Sequence, residues 1–260
     1  MKLTTWNVNG LRARLTHVVD FLREHRPDVL CLQETKVQDE AFPKEPLEDE
    51  GYNVLRWGQK SYNGVAILSQ RPVEDVFTGL PGDPDDGERR VLGCIAGDLM
   101  VLDLYAPNGQ EVGGPRYREK LDWFRRLRAF VDGKYSTAEK VALVGDFNVA
   151  LEDRDVFDPD LFKEQLHCST PERAAMRQLL AFGFDDLLRS RHPEPGIYTW
   201  WNYQAGAAFK DQGLRIDYVL TTAPLTRACV DVIVHREVRT KKSPSDHVPV
   251  TAVFADQGAA

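Results

Sequence analysis

Long apolar runs are missing from this chain. None of its 260 residues fall in a stretch that approaches the roughly twenty apolar residues of a membrane-spanning helix. The opening MKLTTWNVNG also lacks an apolar signal-peptide core. Cysteine is scarce: Cys31, Cys94, Cys168 and Cys229 lie far apart with no CxxC pair. That spacing excludes a disulfide framework and a cysteine zinc site, and it points to reduced thiols in a cytoplasmic protein. There is no GxxxxGK[ST] loop and no GxSxG elbow, so P-loop nucleotide chemistry and a serine hydrolase of that type drop out. An excess of positive charge is lacking too. Thirty-three Lys and Arg face 40 Asp and Glu, a formal net charge of −7, which at first argues against a nucleic-acid partner. What matters for binding is where the cations lie. They are grouped locally: Arg89-Arg90, Arg116 with Arg118 and Lys120, Arg125-Arg126, and Arg236 with Arg239, Lys241 and Lys242, the last running straight into SPSDH.

What remains is ordinary globular composition, 42% hydrophobic and 28% charged. The length suits one domain spanning residues 1–260, with ADQGAA (255–260) as a frayed tail. The most informative stretch is VALVGDFN, Val141 to Asn148. Its apolar, β-branched start reads as a strand buried on both faces. Gly145 then allows a turn or a close approach, and Asp146 and Asn148 share one face with Phe147 on the other. Other strands follow the same scheme: Lys2–Trp6 leading into Asn7-Val8-Asn9-Gly10, Val29–Leu32 into Gln33-Glu34, and Leu99–Tyr105 into YAPNG. Further strands are expected at Gly64–Ser69, Leu214–Leu220 and Val248–Phe254. Helical spacing is found at Leu11, Leu15, Val18 and Leu22, stopped by Pro27, and at Leu121, Phe124, Leu127 and Val131. Another helix starts at Thr170-Pro171.

The polar strand ends are Asn7, Glu34, Tyr105, Asp146, Asn148, Asp217, Asp246 and His247. Singly, each has an ordinary reading as a turn residue, a cap or a surface group. Brought together, they form a cluster of carboxylates, amides, one phenol and one imidazole. Crowded carboxylates need a cation or must share protons. Oxygen donors without cysteine favour a hard ion, magnesium or manganese. An imidazole beside an Asp is held in one tautomer and can carry positive charge, while amides and a phenol supply neutral donors for phosphoryl oxygens. The combination suits metal-assisted hydrolysis of a phosphate ester.

In order along the chain, TWNVNGLRA, CLQETK, YNGVAILS, LYAPNG, VGDFNVA, YTWW, GLRIDYVL and SPSDHVPV resemble the exonuclease III type of AP endonucleases, within the endonuclease/exonuclease/phosphatase superfamily. The resemblance implies an α/β fold, a four-layered αββα sandwich of two packed mixed sheets flanked by helices. It also implies a DNA-repair nuclease that cuts 5′ to an abasic site, leaves a 3′ hydroxyl and trims 3′ ends, including 3′ phosphates. Its substrate would be double-stranded DNA with abasic sites or 3′ ends, handled by a monomer in the cytoplasm, at the nucleoid of a prokaryote. Carried over residue by residue, Glu34 is the principal magnesium (or manganese) ligand, with Asn7, Asp146, Asn148, Asp246 and His247 completing the metal site. Asp146, aided by Asn148, acts on the attacking water. His247, oriented by Asp217, meets the scissile phosphate, and Tyr105 is a second phosphate or leaving-group contact. DNA contacts are expected at Asn9, Arg89, Arg90 and Asn108. Trp200, Leu214 and Ile216 are expected to wall an apolar pocket for an extruded abasic sugar.

One segment departs from the family pattern. A small residue followed by Phe and Pro-Glu-Glu-Arg is usual; here Leu166-His167-Cys168-Ser169-Thr170-Pro171-Glu172-Arg173 stands instead. The bulkier His-Cys pair bears on the sugar pocket, and so on the balance between abasic cleavage and 3′-end trimming. Two alternatives share parts of the signature. Phosphoinositide and sphingomyelin phosphodiesterases of the superfamily have the NxN, QE, GDxN and SDH signals, but LYAPNG and GLRID favour the AP endonuclease branch. A non-catalytic nucleic-acid-binding relative would have replaced metal or phosphate residues, and here each is in place.

Overall fold

A computed structural model describes residues 1–85 and 87–255. In chain order its first half contains β1 (Lys2–Asn7), α1 (Leu11–His25), β2 (Val29–Gln33), α2 (Glu45–Glu48), β3 (Asn53–Trp57), β4 (Val65–Ser69), β5 (Val73–Thr78), β6 (Val91–Ala96) and β7 (Leu99–Tyr105). The second half contains α3 (Pro115–Lys134), β8 (Val141–Asp146), α4 (Thr170–Leu180), β9 (Phe184–Asp186), α5 (Leu187–Arg191), β10 (Trp200–Trp201), β11 (Gly213–Leu214), β12 (Asp217–Thr222), α6 (Ala223–Ala228), β13 (Cys229–Val234) and β14 (Val250–Phe254).

Two six-stranded mixed sheets result, ordered β13-β14-β1-β2-β4-β3 and β5-β6-β7-β8-β12-β9. Within each, one parallel pair sits centrally, β1 with β2 and β7 with β8. Both faces of these pairs are covered, which is why their sequences run apolar without alternation. The inner faces meet through Leu3, Cys31, Ile67, Val101, Val144 and Val219. On one outside, α1 lays Val18, Phe21 and Leu22 over Trp6, Leu30 and Leu68. On the other, α3 lays Phe124, Leu127 and Val131 over Leu102, Leu143 and Leu220. The architecture is the expected αββα sandwich.

Some boundaries differ from those read in the sequence. The run Leu214–Leu220 is broken, because Arg215 turns inward to Asp155 (2.7 Å) and Asp186 (2.8 Å). Two short strands, β11 and β12, replace it. The last strand starts at Val250 and not at Val248, just past Pro249, whose missing N–H cannot join the ladder. Helix α4 is capped one residue earlier than Thr170, by Ser169 in a reciprocal capping box with Glu172. Of the tail expected to fray, 256–260 lie outside the described residues.

Candidate active site

The parallel strands deliver their carboxyl ends to one edge. Asn7 lies opposite Gln33, Tyr105 opposite Asp146, and Asp146 opposite Asp217 in the antiparallel neighbour. The polar strand ends are therefore brought together by register, not by loop wandering. Gly145 is required here: its φ is 142°, and an added Cβ would meet the Leu104 carbonyl oxygen at 1.8 Å. Beyond the strands, Asn9, Glu34 and Asn148 adopt left-handed backbone angles (φ 45°, 51° and 53°) that aim their side chains back at the cluster.

At its centre, the Asn7 amide donates to Glu34 Oε1 (2.8 Å) and to Asp146 Oδ2 (2.9 Å). Asn7 Oδ1 accepts from the Asn9 N–H at 3.0 Å, and the Ser245 hydroxyl donates to the Asn7 carbonyl at 2.7 Å. His247 Nδ1 faces both oxygens of Asp217 (2.9 and 3.1 Å), and its Nε2 lies 3.7 Å from Asp146 Oδ2. Asp146 Oδ1 accepts from the Asn148 N–H (2.8 Å), while the Asn148 side chain is held by the Ala106 carbonyl (3.0 Å) and by Asn108 (3.3 Å). Asp246 is fixed by Asn9 Nδ2 (2.9 Å) and by the Trp200 indole N–H (3.0 Å).

Charge follows from this geometry. Burial pushes the Asp146 carboxyl up to about 7, with Asp217 and Glu34 adding to the effect against the pull of His247. For His247, burial works against the charge, but Asp217 and Asp146 outweigh it and raise the imidazole to about 10. Burial likewise opposes ionisation of Glu34 and Asp246. Lys36 with Asn7 in the first case, and His247 with Trp200 in the second, nonetheless hold each carboxyl below its usual range. Tyr105 is pushed well above the normal phenol range by burial and by the Glu34 and Asp146 charges, so it stays a proton donor.

Glu34, Asp146 and His247 bring one ligand atom each to within 4.8 Å of one another. The oxygens of Glu34 and Asp146 fit a hard divalent cation. In the cation-free cluster Asp217 and Asp146 keep His247 protonated, which favours Nε2–H as a donor over a place among the ligands. The Asn7 oxygen and both Asp246 oxygens each accept one hydrogen bond from a protein donor, and the Asn148 amide donates to the Ala106 carbonyl, which fixes their orientation around Glu34 and Asp146.

The expected DNA contacts divide. Asn108 lines a cleft of about 470 Å³ with Tyr62, Arg90, Tyr105 and Arg116. Arg90 stacks its guanidinium 4.7 Å from the Tyr105 ring centre and pairs with Glu88 at 2.7 Å, so it braces Tyr105. Arg89 stacks on Trp57, also at 4.7 Å. Trp200 is half-buried, with the His167 ring 6.4 Å away. Leu214 and Ile216 are 0% and 2% exposed, packed with Ala150, Val156 and Cys168. These two lie beneath Trp200, in the cluster against which its indole packs.

Lys36 and Lys120 escaped sequence reasoning as participants, and His167, noted there only for its bulk, has a hydrogen-bonding place as well. Lys36 pairs with Glu34 (2.8 Å) and donates to Asn9 Oδ1 (2.5 Å); its place two residues past Glu34 in CLQETK was the available signal. Lys120 is wholly buried, paired with Glu172, and donates to the carbonyls of Asn148 (2.7 Å) and Asn108 (3.1 Å). His167 Nδ1 lies 2.7 Å from the Asn148 carbonyl. Burial and the nearby Lys120 push its imidazole down to about 4, so it is neutral. A carbonyl only accepts, so Nδ1 carries the proton and Nε2 is left as an acceptor.

Paired sheets with strand ends converging on a carboxylate and imidazolium cluster define a phosphoester-hydrolase class of site. The model of the endonuclease/exonuclease/phosphatase family matches residues 4–247. Exodeoxyribonuclease III of Haemophilus influenzae is 32% identical over 266 aligned positions, covering 98% of this chain and 100% of that one. Among solved structures, the 3′ phosphatase NExo from Neisseria bound to a product DNA hairpin is 42% identical with a TM-score of 0.95, covering 98% of this chain and 99% of that one. An AP endonuclease from Archaeoglobus fulgidus is 38% identical, also with a TM-score of 0.95 over 98% and 99%. The chain belongs to the endonuclease/exonuclease/phosphatase family, in its exonuclease III type of AP endonucleases.

Proposed function

We propose that this protein is a magnesium-dependent DNA-repair nuclease that hydrolyses phosphate esters at abasic sites and at 3′ ends, through the cluster at Glu34, Asp146, Asp217 and His247. The observation that carries this reading is the opposition of charges. Glu34 and Asp146 converge on one side, and an imidazolium clamped by Asp217 faces them on the other. Glu34 and Asp146 would hold the ion. When bound, magnesium or manganese neutralises phosphoryl charge and stabilises the leaving oxygen.

The chain's own groups do the rest. Asp146, fixed by Asn7 and Asn148, orients the attacking water and takes its proton. His247 keeps its Nδ1 on Asp217 and presents Nε2–H to a phosphoryl oxygen, a charge-assisted bond that strengthens as charge builds. Tyr105, un-ionised and braced by Arg90, donates a second. Asn108 and the cleft beside it receive the DNA backbone. The fit of one protein to both abasic and 3′-end substrates rests on the half-buried Trp200, with His167 standing beside its indole. The protein acts as a single-domain monomer in the cytoplasm, at the nucleoid where the host is a prokaryote.

Glu34→Gln tests the reading, since it keeps the size and removes the charge. The expected outcome is at least about a hundredfold loss of rate at low magnesium, partly restored at high magnesium. Full activity of the variant in chelator contradicts it.

A further inference from the structure

Where Phe21 of α1 and Thr251 of β14 come together, a second group of ligand-type side chains meets. His25 ends α1, and His235 and Glu237 follow β13. His235 Nδ1 lies 3.1 Å from Glu237 Oε1, and His25 Nε2 lies 4.0 Å from the same oxygen. One donor atom from each of the three falls within 4.8 Å of the others. Glu24 Oε2 approaches His25 Nε2 to 3.8 Å from the open side.

The two rings are 4.4 Å apart at 62°, and Phe21 packs against both (4.4 and 5.0 Å). This aromatic backing leaves the nitrogens turned toward the carboxylates. The rear nitrogen of His235, Nε2, is tied to the Thr251 hydroxyl at 2.9 Å, which in turn meets Thr4 at 2.8 Å. A histidine whose second nitrogen is anchored by a buried partner, with the first facing a carboxylate, has the orientation seen in metal-ligating imidazoles. Two imidazoles with one or two carboxylates make a nitrogen and oxygen set. That set favours a borderline transition dication over magnesium. A tetrahedral zinc site places neighbouring donors about 3.3 Å apart, so these atoms need only small side-chain rotations to close.

We propose that His25, His235 and Glu237 form a second metal site, specific for a transition dication of the zinc class, which fastens the end of α1 to the segment after β13.

Zinc is titrated calorimetrically into metal-free, full-length wild type and into His25→Gln/Glu237→Gln. The wild type should take up one zinc equivalent more than the variant, which cancels whatever the catalytic cluster binds. At zinc about a hundredfold above its Kd, the wild-type unfolding constant should fall about a hundredfold further than the variant's. Cobalt in place of zinc should give visible bands of a nitrogen-ligated site that the variant loses. His25 and Glu237 are partly exposed (25% and 59%), so the variant should fold and keep its magnesium-dependent hydrolysis rate. If the double variant fails to fold, His25→Gln alone, which leaves His235 on Thr251, must still lose the extra equivalent. Equal zinc uptake and equal stabilisation in wild type and variant overturn the proposal.

Discussion

Asp146 sits buried beside Glu34 and Asp217, and its carboxyl rises from 3.8 to about 7 without a bound cation. The folded value lies above the unfolded one. Its contribution to stability is therefore fully present below about pH 3.8 and is lost as pH rises through about 7. Asp146→Asn removes that burden. In chelator the variant should be more stable than wild type by on the order of 1–3 kcal/mol at pH about 8, a gain that grows from about pH 4 and levels off above about pH 7. Hydrolysis should fall at least about a hundredfold in the same protein. Denaturant unfolding across that pH range checks the first part, and a pH-independent difference contradicts it. At this scale the site was legible where a polar residue closes an apolar run, as at Asn7, Glu34 and Asp146. The full burial of Leu214 and Ile216 was not legible, because it is set by Val156 and Cys168, distant in sequence. The proton on His247 was not legible because it depends on Asp217, thirty residues away.

Among the elements, α3, α4 and the loop after β8 are joined at one buried ion pair. Lys120 read in the sequence as part of a surface basic group with Arg116 and Arg118. Yet it is wholly buried against Glu172, which also caps α4 through Ser169. Helical periodicity does not separate a charged side chain aimed at solvent from one aimed at a partner on another helix. Lys120→Met leaves Glu172 buried without its cation and should cost about 3–5 kcal/mol in denaturant unfolding. Lys120→Met/Glu172→Gln should regain part of it. A loss below about 1 kcal/mol for the single variant shows that the pair does not hold these elements. The parallel central pairs were readable because both faces are buried, whereas the interior strand β6, interrupted by Gly93, was not read. Nor were the edge strands β5 and β13: VEDVFT lacks a sustained apolar pattern, and CVDVIV, though apolar apart from Asp231, buries only Cys229 and Val232 and shows no alternation.

For the whole molecule, the formal charge of −7 conceals an uneven distribution. Arg236, Arg239 and Lys241 line a groove of about 600 Å³ with Trp201 and Tyr203, and Arg116 stands in the cleft at Asn108 on the other flank. Carboxylates gather between them at the strand ends. This layout lets an acidic protein take a polyanion, with affinity that falls steeply with salt. At the same site His167 stands beside Trp200, and the proposed pocket reading makes that pair a determinant of substrate choice. His167→Ala/Cys168→Gly should raise abasic cleavage relative to 3′-phosphate removal about tenfold, equivalent to roughly 1.4 kcal/mol of relieved crowding. An unchanged ratio at fixed salt makes the pair neutral to the pocket. The most direct measurement of the whole account is hydrolysis of three duplexes by the wild type, one abasic, one 3′-recessed and one 3′-phosphorylated, each with magnesium or with chelator. The account predicts phosphate-ester hydrolysis of the abasic and 3′-phosphorylated duplexes with magnesium and none with chelator. It is contradicted if all three duplexes stay intact with magnesium, or if cleavage continues undiminished in chelator.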